Sequence, residues 1–403
     1  MGGLVAASGG PASLLAPPLR GRDPGDRRLA PVKTVTARQL NRATLDRQLL
    51  LRRKRLSVVE GARRVVAMQA QSPASPYIAL WNRLSGFDAA DLDTAFGAGD
   101  VVKATLMRVT LHAVHADDYP AFRAAMVPTL RSARLNDRRF TDTGLSAADA
   151  DALVPRLVEF TSQPRTGADC EALLGEPWVW WALRTCAPLH HAPTGGAWSF
   201  GLRPAYVAAP PTAGEPDLDA SAQHLVRRYL EGFGPASVND VAQFVLFPRS
   251  RGRSREVVES MADTLQRLNG PDGSELFDVA DGRLPAEDAV APPRLMAMWD
   301  SVLLAYADRS RIIPPEYRQI VIRRNGDVLP TLLVDGYVAG VWRAVEGGIE
   351  ATAFHQLPKE TWEALASEAR KMRALLADRD PLVYGRYNHW WKTLPQEDVR
   401  VLV

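Results

Sequence analysis

The sequence predicts a mainly α fold with β structure (α+β): three tandem winged helix-turn-helix units followed by a C-terminal β-meander or small barrel. Three observations carry this prediction. Amphipathic helices that end in a short β pair recur three times along the chain. After residue 298, Asn-Gly and Asp-Gly turns stand between apolar strand runs, and these dipeptides are the strongest short hairpin signals. Finally, 403 residues with 46% hydrophobic and 24% charged content give an ordinary globular composition, with length for more than one core.

The first unit is read over residues 34–140. TARQLNRATLDRQLLLRR places Leu40, Leu45, Leu49 and Leu50 on one helical stripe. LSVVEGARRVVAMQAQ is a second amphipathic helix, with Ser57 as N-cap and Glu60 three positions later as a capping box. PYIALWNRLSGF and AADLDTAFGAGD continue in helix. The period then changes: in VVKATLMRVTLHAVHADDY, Thr105, Met107, Val109 and Leu111 alternate with Leu106, Arg108, Thr110 and His112, which reads as a strand or a hairpin. A helix over DDYPAFRAAMVPTLRSAR closes the unit.

The pattern returns over residues 141–215, where LSAADADALVPRLVEFTSQ is helix and TGADCEALLG a short helix capped by Thr166. EPWVWWALRTCAPLHHAPTGGAWSFG then reads as helix, strand, Gly-Gly turn and strand. The third unit, 216–296, carries a small-residue turn and capped short helix in GPASVNDVAQFV. From 297 to 403, QIVIRRNGDVLPTLLVDGYVAGVWRAVEGGIEATAF reads as hairpins, closed by the helix KETWEALASEARKMRALLADRD. Residues 1–33, rich in Gly, Pro, Ala and Arg, read as a disordered leader, with an over-long start or a transit peptide as alternatives.

Composition narrows the function classes. No run of about 18 uncharged apolar residues is present, so no membrane-spanning helix is expected. Cys170 and Cys186 form neither a metal spacing nor a disulfide framework, which suits a cytoplasmic protein. His190 and His191 adjoin Cys186 without a fourth ligand at zinc-like spacing, so no metal and no cofactor are expected. Net charge is only +3, but the basic residues are lopsided, with six lysines against 43 arginines. Genome composition is expected to account for the larger share of that bias; arginine is also the better fork for phosphate.

Within residues 68–73, MQAQSP, two glutamines flank an alanine. Here the chain bears a family resemblance. The succession LNRATLDRQLLLRR, VVAMQAQSPASPYIALWNRL, LMRVTLHAVHADDY, MWDSVLLAYADRSRIIPP and GDVLPTLLVDGYVAGVWR, spanning residues 34–357, resembles the winged-helix DNA glycosylases of the AlkZ and YcaQ type. The resemblance implies that Gln69 and Gln71 are catalytic, as glutamine-apolar-glutamine is in the AlkZ-like branch; the YcaQ-like branch has aspartate at the second position. It further implies a C-shape of winged helices around a channel and a damaged double-stranded DNA substrate. The implied reaction is hydrolysis of the N-glycosidic bond of alkylated purines, including guanines in interstrand crosslinks. Members of that branch protect producers of DNA-alkylating antibiotics, azinomycin being the type case.

Amides suit such chemistry. A guanine alkylated at N7 is already cationic and leaves as a neutral base, so no general acid is required. What remains is to place a water and to stabilise an oxocarbenium-like sugar, a matter of positioning and electrostatics. If residues 69–71 are extended, both side chains face one side and hold one water from two directions. No lysine stands near the motif in sequence, so a monofunctional enzyme that leaves an abasic site is expected. The competing reading is a tandem winged-helix transcriptional regulator without catalysis.

Further DNA-binding candidates follow from local patterns. Arg108, Thr110 and His112 share one face of the expected strand; His112 is either a general base or a satisfied strand-edge histidine, and Arg108 a phosphate contact. Arg309 and Arg311 fall on one side of ADRSRIIPP if it is extended. Arg323, Arg324 and Asn325 cap the Asn-Gly hairpin. Asp300 and Asp308 are expected to pair with arginine. Trp178, Trp180 and Trp181 are assigned to core packing, and the tail YGRYNHWWKTLP to docking on the β-domain, with base stacking as its alternative. A monomer is expected.

Overall fold

A computed structural model describes residues 1–2, 32–211, 214–395 and 397–403. The leader expected over residues 1–33 lies, apart from its ends, outside the described residues. Residues 33–403 form one unit around a continuous hydrophobic core that runs from Leu45 to Leu402. Among the described residues, no helix is long and apolar enough to cross a membrane.

The capping signals act where the sequence placed them. Ser57 accepts from the Glu60 amide while the Glu60 carboxylate returns to the Ser57 amide, starting the helix Val58–Val65. Thr166 and Asp169 do the same for Gly167–Leu174, and Ser237 and Asp240 for Val238–Val245. Each box satisfies amides that the first helical turn leaves without partners.

Two β pairs expected as separate wings are instead parts of one sheet. Its six strands run in the order Met68–Gln69, Leu111–His115, Val101–Thr105, Leu189–Ala192, Ala205–Ala208, Arg165–Thr166. The strands of residues 101–115 thereby join those of residues 189–208, through the register pair Lys103 and His191. The glutamine motif supplies one edge strand, with Gln69 opposite His112. A two-stranded ribbon, Leu265–Asn269 with Glu275–Val279, belongs to the third helical region.

The C-terminal sheet has five strands, ordered Asp398–Leu402, Gly348–Ala353, Tyr337–Val345, Thr331–Val334, Arg294–Leu295. Asp335-Gly336 turns between two of them, with Gly336 at φ +82, and Glu346-Gly347 between the next pair, with Gly347 at φ +80. The helix Lys359–Ala377 packs its Trp362, Leu365, Ala369 and Met372 inward.

Three local expectations are corrected. The Gly195-Gly196 pair does not join two strands: the partner of Leu189–Ala192 begins only at Ala205. The residues before Asn325-Gly326 are not a strand, because Pro314-Pro315 opens a helical turn that continues into the short helix Arg318–Val321. Only the bridge between Ile322 and Val328 flanks that turn. Finally, residues 101–115 are a hairpin whose tip, Met107–Val109, is a helical turn rather than strand.

Candidate active site

The helix before the motif stops abruptly. Val66, a β-branched residue, takes φ +73, a conformation that its side chain disfavours. Surrounding groups hold it there. Gly232 comes so close that a Cβ on it would lie 2.7 Å from the Val66 side chain. Gln48 donates from Nε2 to the carbonyls of Val65 (3.3 Å) and Gly232 (2.9 Å), and Ser301 donates to that of Ala67 at 2.7 Å. Beneath, Arg83 binds Asp300 through two hydrogen bonds of 2.8 Å and reaches Gln48 Oε1 at 3.3 Å. The pairing expected of Asp300 is therefore with Arg83; Asp308 instead caps the turn at Ser310. Strained backbone fixed by rigid neighbours is a usual companion of functional sites.

From this anchor the strand Met68–Gln69 emerges, Ala70 donates to the Leu111 carbonyl at 2.8 Å, and the chain bends at Gln71. The two amides are thus not equivalent. Gln69 is 5% exposed and its Oε1 accepts from Arg108 Nη2 at 2.9 Å. Gln71 is exposed. The expectation of an extended 69–71 stretch with both side chains alike is corrected: the strand ends at Gln69, and the bend turns Gln71 outward. Ala70 between them is wholly buried, so a larger side chain would crowd this packing.

Arg108 does not lie on a strand face with Thr110 and His112. It occupies the hairpin tip, where Arg108 (φ 55°) and Val109 (φ 57°) both adopt left-handed backbone without glycine. From there its guanidinium spans Gln69, the Phe244 carbonyl at 3.3 Å and His112 Nε2 at 3.4 Å. His112 Nδ1 donates to the Thr110 carbonyl at 3.0 Å, which leaves Nε2 as the acceptor facing Arg108. Burial first, and the Arg108 cation second, push His112 down to about 3. It is a neutral, satisfied histidine rather than a general base poised near neutral pH. Thr110 donates to the Met107 carbonyl at 3.0 Å and helps shape the tip.

No carboxylate neutralises Arg108 among the described residues. Burial and then the nearby Arg309 cation lower it to about 10. Arg309 is itself lowered, by burial and by Arg318, and its Nε is buried without a hydrogen-bond partner among the described residues. The expected pairing of Arg309 with Arg311 fails, because Asp308 caps a tight helical turn over Arg309–Arg311. Arg311 is drawn into the fold, donating to the Pro235 carbonyl at 2.8 Å and stacking 4.0 Å from the Tyr306 ring centre. The Asn-Gly turn is a separate region. Arg323 donates to Thr393 and stacks on Trp390 at 4.4 Å, Asn325 closes its own turn on Asp327, and Arg324 is exposed.

Gln71 opens onto a cleft of about 370 Å³. Thr110, Lys103, Arg134, Arg184, His191, Phe200 and Arg386 share its walls. None of its three arginines, nor Lys103, has a carboxylate within ion-pair reach among the described residues. Arg134 donates to Thr185 at 3.2 Å and lies 4.4 Å from the Trp181 ring centre. Trp180 is buried as expected, whereas Trp178 is 43% exposed and shares Arg139 with Trp181. The aromatic tail docks, burying Tyr387 and Trp391, and in doing so brings Arg386 to the cleft. Local sequence signals did not single out Lys103, Arg134, Arg184 or Arg386, because four separate segments converge here; the aromatic-basic tail was the only hint of Arg386.

Comparison with known proteins matches this arrangement to a family. The model of the family described as "DNA glycosylase AlkZ-like" matches residues 62–375. An interstrand DNA cross-link repair glycosylase of Streptomyces sahachiroi is 24% identical over 357 residues, covering 82% of this chain and 94% of that protein. The solved structure of the Streptomyces sahachiroi DNA glycosylase AlkZ shares the fold. It aligns with a TM-score of 0.74 at 20% identity, over 85% of this chain and 97% of the other. The chain belongs to the AlkZ-like family and is a DNA glycosylase.

Proposed function

We propose that this glycosylase hydrolyses the N-glycosidic bond of N7-alkylated purines in double-stranded DNA, unhooks interstrand crosslinks, and leaves an abasic site. The observation that carries the reading is the asymmetry of the motif: one glutamine held by an unneutralised arginine, the other exposed on an open basic cleft. In this reading Arg108 fixes the Gln69 amide with its carbonyl inward, and the second lone pair of that oxygen stays available. Gln71 accepts from the attacking water and turns its negative dipole end toward the cationic sugar. Arg108 and Arg309, with Arg134, Arg184 and Arg386, meet the phosphates. The amides carry no net charge and so do not oppose a cationic lesion.

An open cleft also suits a base tethered to the opposite strand. The enclosed space beside Gln69 is only about 10 Å³, room for no more than one water and none for a base. The name of the Streptomyces sahachiroi relative supports crosslinks as the substrate class. Three tandem winged helices, at 34–140, 141–215 and 216–296, arranged as a C with the β-domain 297–403 attached, would place the duplex across this cleft. Action as a cytoplasmic monomer, in self-resistance to a DNA-alkylating natural product, completes the proposal.

The test is release of free base from duplex carrying N7-methylguanine or a crosslink. Wild type should release it, and the combined Gln69→Ala and Gln71→Ala variant should be slower by ~10²–10³-fold with its fold intact. Equal rates in the two proteins would refute the assignment.

A further inference from the structure

The chain has only six lysines among its 49 basic side chains. Lys33, Lys54, Lys359, Lys371 and Lys392 are exposed. Lys103 alone is buried, at 5% exposure, in the middle of the strand Val101–Thr105. Its Nζ lies 4.4 Å from the centre of the Phe200 ring and has no carboxylate partner among the described residues. The same side chain lines the cleft that Gln71 enters, together with Thr110 and Arg184. A protein that uses arginine nearly everywhere thus keeps an amine at the one buried basic position on the wall of its reaction cleft.

The distinction is chemical. A guanidinium stays protonated at every physiological pH, whereas a desolvated amine releases its proton and becomes a nucleophile. Burial alone pushes Lys103 down to about 8.

From its place in the cleft beside Gln71 we infer that Lys103 attacks the C1′ aldehyde of the abasic sugar left by base release, making the enzyme an abasic-site lyase as well as a glycosylase. This rests on the proposed base release for its natural substrate, but the lyase step needs only an abasic site. It departs from the expectation of a monofunctional enzyme, which rested on the absence of a lysine near the motif. The Lys103 nitrogen bonds to C1′ and water departs, giving an iminium. A C2′ proton passes to solvent. The electron pair it leaves expels the 3′ phosphate by breaking the C3′–O3′ bond. Water then hydrolyses the conjugated imine, restoring Lys103 and leaving an unsaturated aldehyde on the upstream strand. No oxidant or reductant takes part.

The experiment incubates the full chain with an end-labelled duplex containing one preformed abasic site, with and without sodium borohydride. Wild type should yield a reduced covalent complex and, without borohydride, a β-elimination product. Peptide mapping should locate the adduct on Lys103. Lys103→Arg and Lys103→Met should each reduce trapping and incision at least ~10-fold, while Lys371→Arg retains both. Absence of a wild-type adduct, an adduct mapped elsewhere, or trapping that survives in both Lys103 variants overturns the inference. A chain that releases no alkylated base yet traps through Lys103 would keep this inference and lose the reading it extends.

Discussion

Two groups of arginines in this protein differ in how the fold treats their charge. Inside the fold, Arg47 is bound to Asp278 through two hydrogen bonds of 2.6 Å, and Arg83, near the motif, to Asp300 through two of 2.8 Å, all four side chains being buried. Arg108, Arg309, Arg134, Arg184 and Arg386 instead face the hairpin tip and the cleft with no carboxylate in reach among the described residues. The first group is scaffold: its charge is cancelled within the fold. The second holds charge that the fold does not cancel, which is costly where burial desolvates it, as at Arg108 and Arg309, and which an outside polyanion would complete. Carboxylates, rather than arginines, therefore mark where DNA is not expected to lie.

The sharpest way to break this contrast is to orphan a scaffold charge. Asp300→Ala leaves Arg83 buried without its partner and should cost ~3–5 kcal/mol of stability, read as a lower urea midpoint. A loss under ~1 kcal/mol would mean that the pair is not structural. The opposite behaviour is expected at the hairpin tip. Arg108→Met removes an uncancelled cation and frees the Gln69 amide, so base release should fall by ~10–100-fold while stability drops far less than with Asp300→Ala. A melting loss as large as that of Asp300→Ala would move Arg108 into the scaffold.

Three histidines, His112 and His190 buried and His191 half-buried, are held neutral. Burial pushes His112 and His191 to about 3 and His190 to about 4, with neighbouring cations adding to each shift. Because the folded-state values lie below the unfolded value of about 6.5, the unfolded chain takes up the protons first. Stability from these groups is full above about pH 6.5 and is lost as pH falls from there toward 3. A melting temperature that declines across this window, with a shallower decline for His112→Asn, is the expected profile; a flat one would mean that these rings take up protons as readily in the fold as in the unfolded chain. The smallest effect belongs to the cleft rim. Arg134→Gln, Arg184→Gln and Arg386→Gln should each lower the salt slope of DNA binding by ~1, without changing preference among duplex sequences.

How much of this could be read from the sequence depended on whether a signal was local. The caps at Ser57 and Thr166 and the Asp335-Gly336 turn were legible because each is complete within a few residues. The run through Arg108 read as a strand or a hairpin, and the tip could not be located because it uses left-handed backbone at Arg108 and Val109, where no glycine or asparagine announces it. Gln69 and Gln71 were found through the family resemblance, but their unequal burial depends on a bend that periodicity does not encode. Lys103 was passed over because its relation to Gln71 runs across strands, and its other neighbour, His191, is 88 positions away.

That last pairing has a consequence for any attempt to divide the protein. The seam between its first two sheet halves is a single register pair, so a fragment ending near residue 140 would still contain both glutamines. It would also present the backbone edge of Val101–Thr105 to solvent, an invitation to self-association, and the Lys103 amine would regain its hydration and with it the proton affinity that burial lowers. Residues 189–208 thus set the surroundings of a side chain that the strand Val101–Thr105 carries.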